Sequence, residues 1–323
     1  MKAVRIHAPG GPEALKYEDV PEPTPGQGQA AIRVGACGVN YIDVYFRTGQ
    51  YKAQLPLTIG LEGAGTVTAV GPGVSDVRVG DRVAWTGIPA SYAQVIVAPA
   101  DRLVKLPDGL SFKDGAAAML QGMTAHYLAI STYPLKKGDV CVVHAAAGGV
   151  GLLLCQIAKM RGATVIGTVS TEEKAKLAKD AGADHTILYT KTDFEPEVKR
   201  LTGGLGAHVI YDGVAATTFD KGIKSLRPRG LMALYGQSSG PVPPLDLQVL
   251  NANGSLFVTR PSLNHHIASR EELLQRAGDV LGWIRDGKLK LRLEHQLPLS
   301  EAAEAHRALE GRRTTGKILL IPA

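Results

Sequence analysis

Cysteine is scarce in this chain: three residues among 323, Cys37, Cys141 and Cys155, with no paired spacing. That scarcity excludes a disulfide framework and a thiolate-clustered metal site. Cys141 and Cys155 lie inside apolar runs and read as buried thiols. No apolar run reaches the roughly 18 residues a membrane span needs, and the opening MKAVRIHAPGGPE lacks the apolar core of a secretory leader. We therefore expect a cytoplasmic setting with no membrane partner. Charge of one sign is not concentrated either. The net charge is +6, but Lys and Arg are interspersed with Asp and Glu, which argues against nucleic acid as a partner. A mildly basic balance suits a small anionic ligand.

What is present is a globular composition, 45% hydrophobic and 20% charged, at a length where one core usually gives way to two domains. Residues 1–110 read as extended pieces broken by Gly and Pro: KAVRIHA, ALKYEDV, QAAIRVGACGV, GTVTAVG, DRVAWTG and SYAQVIVAP. One helix is predicted over Asn40–Gly49. A second runs from the capping-box-like Ser111–Asp114 through AAAMLQGMTAHYLAI.

From Asp139 the texture changes to strands alternating with amphipathic helices, the mark of parallel βαβ units. The strands VCVVHAA, TVIGTVS, HTILY, HVIYDG, LMALYG and SLFVTR suffice for a doubly wound sheet. GQSSGPVPPLDLQVLNANG is too rich in Pro and Gly for a full helix. After Arg260 come a long helix, the extended LRLEHQLPL, a second helix and a closing KILLIP strand, a tail expected to pack on the first lobe. The expected division is a β-rich lobe over 1–122, a nucleotide-binding domain over 123–261 and a return to the first lobe over 262–323.

HAAAGGVG, residues 144–151, joins the first of those strands to the helix GVGLLLCQIAKMRG. A dinucleotide turn needs small residues at the tight bend, at the closest approach to the pyrophosphate and where helix meets strand. Ala146, Gly148 and Gly151 hold those places, so a strict GxGxxG pattern misses the motif. The amides of Gly148, Gly149 and Val150 at the helix start suit a diphosphate, which the helix dipole also favours. His144, in an apolar strand, reads as a satisfied structural histidine.

The end of the second strand discriminates between nucleotides. An acid about 20 residues past the glycines would grip a ribose 2′-hydroxyl and repel a 2′-phosphate. Here Ser170 and Thr171 precede Glu172, Glu173 and Lys174, so the strand tip carries no acid. Ser170 and Glu173 have capping-box spacing, and a capped helix start with Lys174 one turn in is itself an anion site. The reading favours NADPH. One charge-assisted bond of about 2 kcal/mol corresponds to about 30-fold preference over the form without the 2′-phosphate.

The segments ACGVNYIDVYFRTGQY, GLEGAGTV, VRVGDRVAW, HAAAGGVGLLLCQIAK and SLFVTRPSL, in this order, resemble the medium-chain dehydrogenase/reductase superfamily, and within it the zinc-free NADPH:quinone oxidoreductases of the zeta-crystallin-like branch. The resemblance covers essentially the whole chain. It implies an α/β fold with a doubly wound, parallel, six-stranded Rossmann sheet plus a β-rich, GroES-like catalytic lobe. Zinc-holding members carry Cys and His where this chain has Asn40 and Leu61, neither a competent ligand, and the four-cysteine structural loop is absent. No metal is expected. Without a Lewis acid, a conjugated acceptor is the easier hydride target.

The same resemblance implies site residues. Asn40, Tyr41, Asp43 and Tyr45 lie in the segment near the nicotinamide, with helix packing and capping as their plainer reading. Tyr45 and Tyr51 either stack on a flat acceptor or donate a proton after hydride transfer, and the sequence leaves that choice open. Thr124 and Tyr127 fall beside the nicotinamide and ribose, and Tyr189 on the adenine side. Gly236, Gln237 and Ser238 follow the fifth strand, Val258 and Arg260 end the sixth, and Arg312 resembles a base reaching the 2′-phosphate. The implied activity is zinc-independent hydride transfer from NADPH to a quinone or conjugated carbonyl, in a homodimer joined through SLFVTR. A 2-alkenal or enone reductase is the alternative on this scaffold. A nucleotide-dependent RNA-binding or structural protein is the alternative of another class.

Overall fold

Small and β-branched residues alternate through the first and last parts of the chain, and there they form strands. In the computed structural model, which describes residues 1–323, Met1–Met123 and Ile267–Ala323 make up one unit and Thr124–His266 the other.

The first unit begins with β1 (Lys2–Ile6), β2 (Lys16–Asp19) and the long β3 (Gln29–Val39), followed by α1 (Tyr41–Arg47). The short β4 (Leu57–Thr58) precedes β5 (Glu62–Val70), β6 (Arg82–Thr86), β7 (Val95–Pro99) and β8 (Val104–Lys105). β1 takes β2 and β4 as antiparallel neighbours in a small sheet. In the larger sheet β3 lies between β5 and the chain's last strand, and it also pairs with β7. Ile32, Val34, Val67, Val83, Trp85 and Ile96 fill the core beneath it. Burying each such side chain contributes about 1.5–3 kcal/mol.

α2 (Phe112–Tyr127) starts at a true capping box. Ser111 Oγ accepts from the Asp114 amide at 3.2 Å, and Asp114 Oδ2 accepts from the Ser111 amide at 2.8 Å. The last four residues of α2, from Thr124, belong to the second unit.

That unit strings together β9 (Val140–Val143), α3 (Gly149–Met160), β10 (Thr164–Val169), α4 (Glu172–Asp180), β11 (His185–Leu188) and α5 (Phe194–Leu201). It continues with β12 (Ala207–Asp212), α6 (Phe219–Ser225), β13 (Leu226–Leu234), α7 (Gln248–Ala252), β14 (Phe257–Thr259) and α8 (Leu263–His266). Its six strands run parallel in the order β11-β10-β9-β12-β13-β14. The order reverses between β9 and β12, so the carboxyl ends of these two strands form the topological switch point of a doubly wound sheet. The Pro- and Gly-rich stretch before β14 keeps only the five-residue α7.

The tail returns to the first unit as α9 (Arg270–Arg285), β15 (His295–Pro298), α10 (Ala302–Glu310) and β16 (Ile318–Ile321), with β16 antiparallel to β3. Ser269 caps α9 by accepting from the Glu272 amide. No helix is long and apolar enough to cross a membrane.

Candidate active site

In the second unit, the turn between β9 and α3 is shaped by close backbone contact. Gly148 caps α3 with extended backbone, and its amide donates to the Ala145 carbonyl at 2.8 Å. A Cβ on Gly151 would lie 2.3 Å from that carbonyl oxygen and under 3 Å from the Ala146 backbone, so only glycine fits there. The left-handed residue is Ala145, at φ 52°, rather than Ala146, where the sequence motif puts the bend. Ala146 is instead pinned by its amide to the Thr168 carbonyl of β10, with its methyl close over Gly167. The first amides of α3, from Gly149 onward, have no intrahelical acceptor and lie at the switch point, which makes them donors for an anion.

His144, just before this turn, is only half satisfied. Its Nδ1 pairs with Thr168 Oγ1 at 2.9 Å, while the buried Nε2 has no partner and the ring meets Phe194 edge-on. Burial holds its pKa below the ordinary range, so the ring is neutral.

At the tip of β10 the helix cap is Thr171, whose Oγ1 accepts from the Lys174 amide at 3.2 Å. Ser170 therefore is not the cap its spacing with Glu173 suggests. It stays half-buried beyond the strand, with its carbonyl accepting from Thr190 Oγ1. Ser170 and half-buried Lys174 flank the start of α4, and neither Glu172 nor Glu173 is part of the strand.

Other residues singled out in the sequence lie along the same sheet edge. The Tyr189 amide donates to the Val169 carbonyl, and the side chain is 40% exposed, open enough for a flat ring. Past β13, the amides of Gly236 and Ser238 donate to the Asp212 and Gly213 carbonyls, folding Gly236, Gln237 and Ser238 over the end of β12. Asp212 braces the segment by accepting from Val214, Ala215 and Thr218. Val258 and Arg260, at the end of β14, line a cavity of about 460 Å³ together with Phe257, His265 and His266. Thr124 and Tyr127 are buried, and Tyr127 stacks flat on His266 with ring centroids 4.2 Å apart.

In the first unit, α1 presents a ladder of aromatic rings. The Tyr41 and Tyr45 centroids are 6.1 Å apart, Tyr45 and Tyr51 are 5.3 Å apart, and Phe46 meets Tyr51 edge-on at 5.6 Å. The Tyr51 amide donates to the Tyr45 carbonyl, tying the residue after the helix to its second turn. Burial raises the Tyr41 pKa, and the positive charge of Arg312 partly offsets it.

Beneath the rings lies a buried polar network. Asp43 Oδ2 accepts from the Asn40 amide at 2.8 Å and from the Tyr92 hydroxyl at 2.9 Å, while Oδ1 has no partner. Burial pushes the Asp43 carboxyl up to about 7. The Asn40 side chain is fully engaged. Its Nδ2 donates to Glu62 Oε2 at 2.8 Å and to the Gly38 carbonyl at 3.3 Å, and its Oδ1 accepts from Lys317 Nζ at 2.9 Å and Gln121 Nε2 at 3.2 Å. Lys317 Nζ also lies 2.5 Å from Glu62 Oε2, and both side chains are essentially inaccessible to solvent. Burial lowers the Lys317 pKa, and Glu62 opposes that shift.

Comparison with known proteins fits this architecture. Residues 26–108 match the family model described as alcohol dehydrogenase GroES-like domain, and residues 149–277 match the one described as zinc-binding dehydrogenase. A quinone oxidoreductase of Pseudomonas aeruginosa is 43% identical, with 99% of each chain covered. The chain belongs to the quinone oxidoreductase family. In this family the match extends to three dimensions: the Escherichia coli quinone oxidoreductase complexed with NADPH superposes with a TM-score of 0.98 at 40% identity, covering 100% of both chains. A 2-haloacrylate reductase of a Burkholderia species is 42% identical over 100% of this chain and 99% of its own.

Despite the zinc in the description of one model, this family member brings together no group of three or more His, Cys, Asp or Glu side chains fit to hold a metal ion. An ammonium group, that of Lys317, sits on the Asn40 oxygen instead. The residues missed at the sequence level are Glu62, Lys317, Gln121, Tyr92 and His306. For two of them a signal was there to be used: Glu62 stands inside the small-residue run GLEGAG, and Lys317 directly ahead of the apolar strand ILLI.

Proposed function

We propose that this protein is an NADPH-dependent, zinc-independent quinone oxidoreductase that works in the cytoplasm as a homodimer. The observation that carries the reading is the turn before α3, where Gly151 has no room even for a methyl and a row of helix-start amides lies at the switch point. Those features fit the diphosphate of a dinucleotide, and relatives of the same length are quinone oxidoreductases, one of them solved with NADPH.

NADPH, when bound, supplies the hydride. The residues of this chain hold and orient it. The amides of Gly149 and Val150 bind the diphosphate, while that of Gly148, predicted to join them, is committed to the Ala145 carbonyl and shapes the turn instead. Ser170 and Lys174 bind the 2′-phosphate, and Tyr189 packs on the adenine. Gly236, Gln237 and Ser238, with Val258 and Arg260, contact the ribose and nicotinamide half, whereas Asp43, Thr124 and Tyr127 are buried and serve by packing and hydrogen bonding within the protein. Tyr45 and Tyr51 either stack on the flat acceptor or deliver, from a hydroxyl, the proton that completes reduction. Asn40, its amide already committed to four protein partners, serves by fixing the start of α1.

Dimerisation uses the free edge of β14, where Phe257 is 60% exposed. An unpaired apolar strand edge is otherwise a liability.

The Burkholderia relative favours a second reading, reduction of an activated carbon–carbon double bond. The test is NADPH oxidation by the purified protein in metal-free buffer, with benzoquinone, naphthoquinone, 2-chloroacrylate and simple enals compared. Quinone turnover exceeding that on every alkene is the expected result. Turnover confined to alkenes moves the assignment to the second reading, and none on any acceptor overturns both.

A further inference from the structure

Few features of this chain are as costly as a lysine and a glutamate with no access to water. Desolvating two charges costs several kcal/mol each, and a well-packed apolar pair often serves stability as well or better. Stability alone therefore does not account for Glu62 and Lys317. What their contacts do together is specific. Glu62 Oε1 accepts from the Leu120 amide of α2 at 2.6 Å, and its Oε2 takes both Lys317 Nζ and Asn40 Nδ2. Lys317 bonds the opposite end of the same amide. An amide that flipped would turn its NH2 toward an ammonium and its oxygen toward a carboxylate, so the pair admits one orientation of Asn40 and opposes the other. Gly38 makes the arrangement possible, since a Cβ there would lie 2.3 Å from Glu62 Oε2, 2.4 Å from the Ala116 carbonyl and 2.7 Å from Lys317 Cε.

Asn40 is the N-cap residue of α1, and its backbone amide is held in turn by Asp43. Whatever fixes Asn40 fixes the first turn of the helix that carries Tyr41 and Tyr45.

We propose that the Glu62–Lys317 pair is a positioning device for the reaction: it locks the Asn40 amide and, through it, the angle at which the tyrosines of α1 meet the acceptor. Its kinetic consequence rests on the quinone-reductase reading, but its structural content does not. Lys317 and Glu62 are positioning residues that touch neither acceptor nor nucleotide.

The test compares Lys317→Met, the double variant Glu62→Gln/Lys317→Met and, as a control on an exposed pair, Lys2→Met. Lys317→Met leaves a buried carboxylate alone, so both its melting temperature and its kcat fall. The double variant removes that lone charge and recovers melting temperature, yet its kcat with benzoquinone stays about 10–100-fold below the parent because the amide is no longer held. The Kd for NADPH stays within about twofold, the scale of a group outside the nucleotide contacts. Lys2→Met changes nothing. Recovery of kcat together with melting temperature in the double variant overturns the proposal, as does parental kcat in Lys317→Met. Should Lys317→Met fail to fold, the double variant alone decides. Should the parent reduce none of the acceptors, the function falls and the positioning claim is judged by NMR of the asparagine side-chain amides. The parent is expected to show slowly exchanging Asn40 resonances that the double variant loses, and their persistence overturns the proposal.

Discussion

Nη1 of Arg47 lies 3.3 Å from Nδ1 of His306. A guanidinium only donates, so Nδ1 accepts and the proton of the neutral ring sits on Nε2. That nitrogen faces the Tyr92 hydroxyl at 3.3 Å, which donates onward to Asp43. A directed hydrogen-bond chain thus runs from Arg47, itself paired in a fork with Glu310, to the Asp43 carboxyl in the first turn of α1.

His306 and Asp43, both members of that chain, oppose each other in pH. Burial, with help from the Arg47 charge, holds His306 down at about 3 against an ordinary 6.5. The folded state therefore binds fewer protons there, and stability is lost as pH falls from about 6.5 toward 3. Asp43 runs the other way: raised to about 7 from 3.8, it contributes stability below about 3.8 that is lost as pH rises through 7. Over their shared window the parent should show a nearly flat profile. Asp43→Asn unmasks the histidine, and urea midpoints should drop on acidification. His306→Asn unmasks the aspartate, and the midpoints should drop on going from pH 4 to 7. Parallel profiles in both variants would exclude this account.

Gly151→Ala forces a methyl against the Ala145 carbonyl and should weaken NADPH at least 10-fold, about 1.4 kcal/mol or more. Isothermal titration calorimetry measures it. Unchanged affinity would mean that the turn does not hold the diphosphate.

Lys174→Ala should cut the preference for NADPH over NADH by up to about 30-fold, the scale of one charge-assisted bond. The ratio of kcat/KM for the two nucleotides reads it. A ratio equal to the parent's would assign the 2′-phosphate to other groups.

Tyr45 and Tyr51 differ in exposure, the first buried and the second half-buried, so their roles separate by hydroxyl removal. Tyr51→Phe keeps the ring and loses the proton. If Tyr51 is the donor, kcat falls about 100-fold, a usual size for general acid catalysis. If stacking is its role, kcat holds, and Tyr51→Ala raises KM instead.

Phe257→Asp puts a charge on the edge of β14 and should turn a dimer into a monomer in sedimentation velocity. A species of unchanged size would move the interface elsewhere.

Much of the fold is legible in the sequence because alternation and helix periodicity act locally. VCVVHAA, TVIGTVS and their four successors each fold as a strand of the parallel sheet, and Ser269 and Ser111 start the helices they precede. The turn at residues 144–151 is legible as a motif, but not which alanine carries the left-handed backbone. That depends on Gly151 pressing into the carbonyl of Ala145. Ser170 and Thr171 compete for one cap, and the backbone geometry of Thr171 decides it. Of the buried network, Asn40 and Asp43 stand out in the sequence, but the assembly around them does not. Lys317 and Glu62 are 255 residues apart, and each alone reads as a surface charge until β16 brings the lysine beside β3.

That separation also orders events during synthesis. Residues 124–266 precede β15 and β16 in the chain, so the parallel sheet has all its strands while the β-rich unit still lacks two. With β16 and Lys317 not yet made, β3 has an unzipped edge and Glu62 an unneutralised carboxylate in what will become a dry interior. Synthesis of β16 thus closes the lobe that carries the tyrosines, and a chain truncated just before Lys317 would keep a complete set of nucleotide-sheet strands while its β-rich half stayed unfinished.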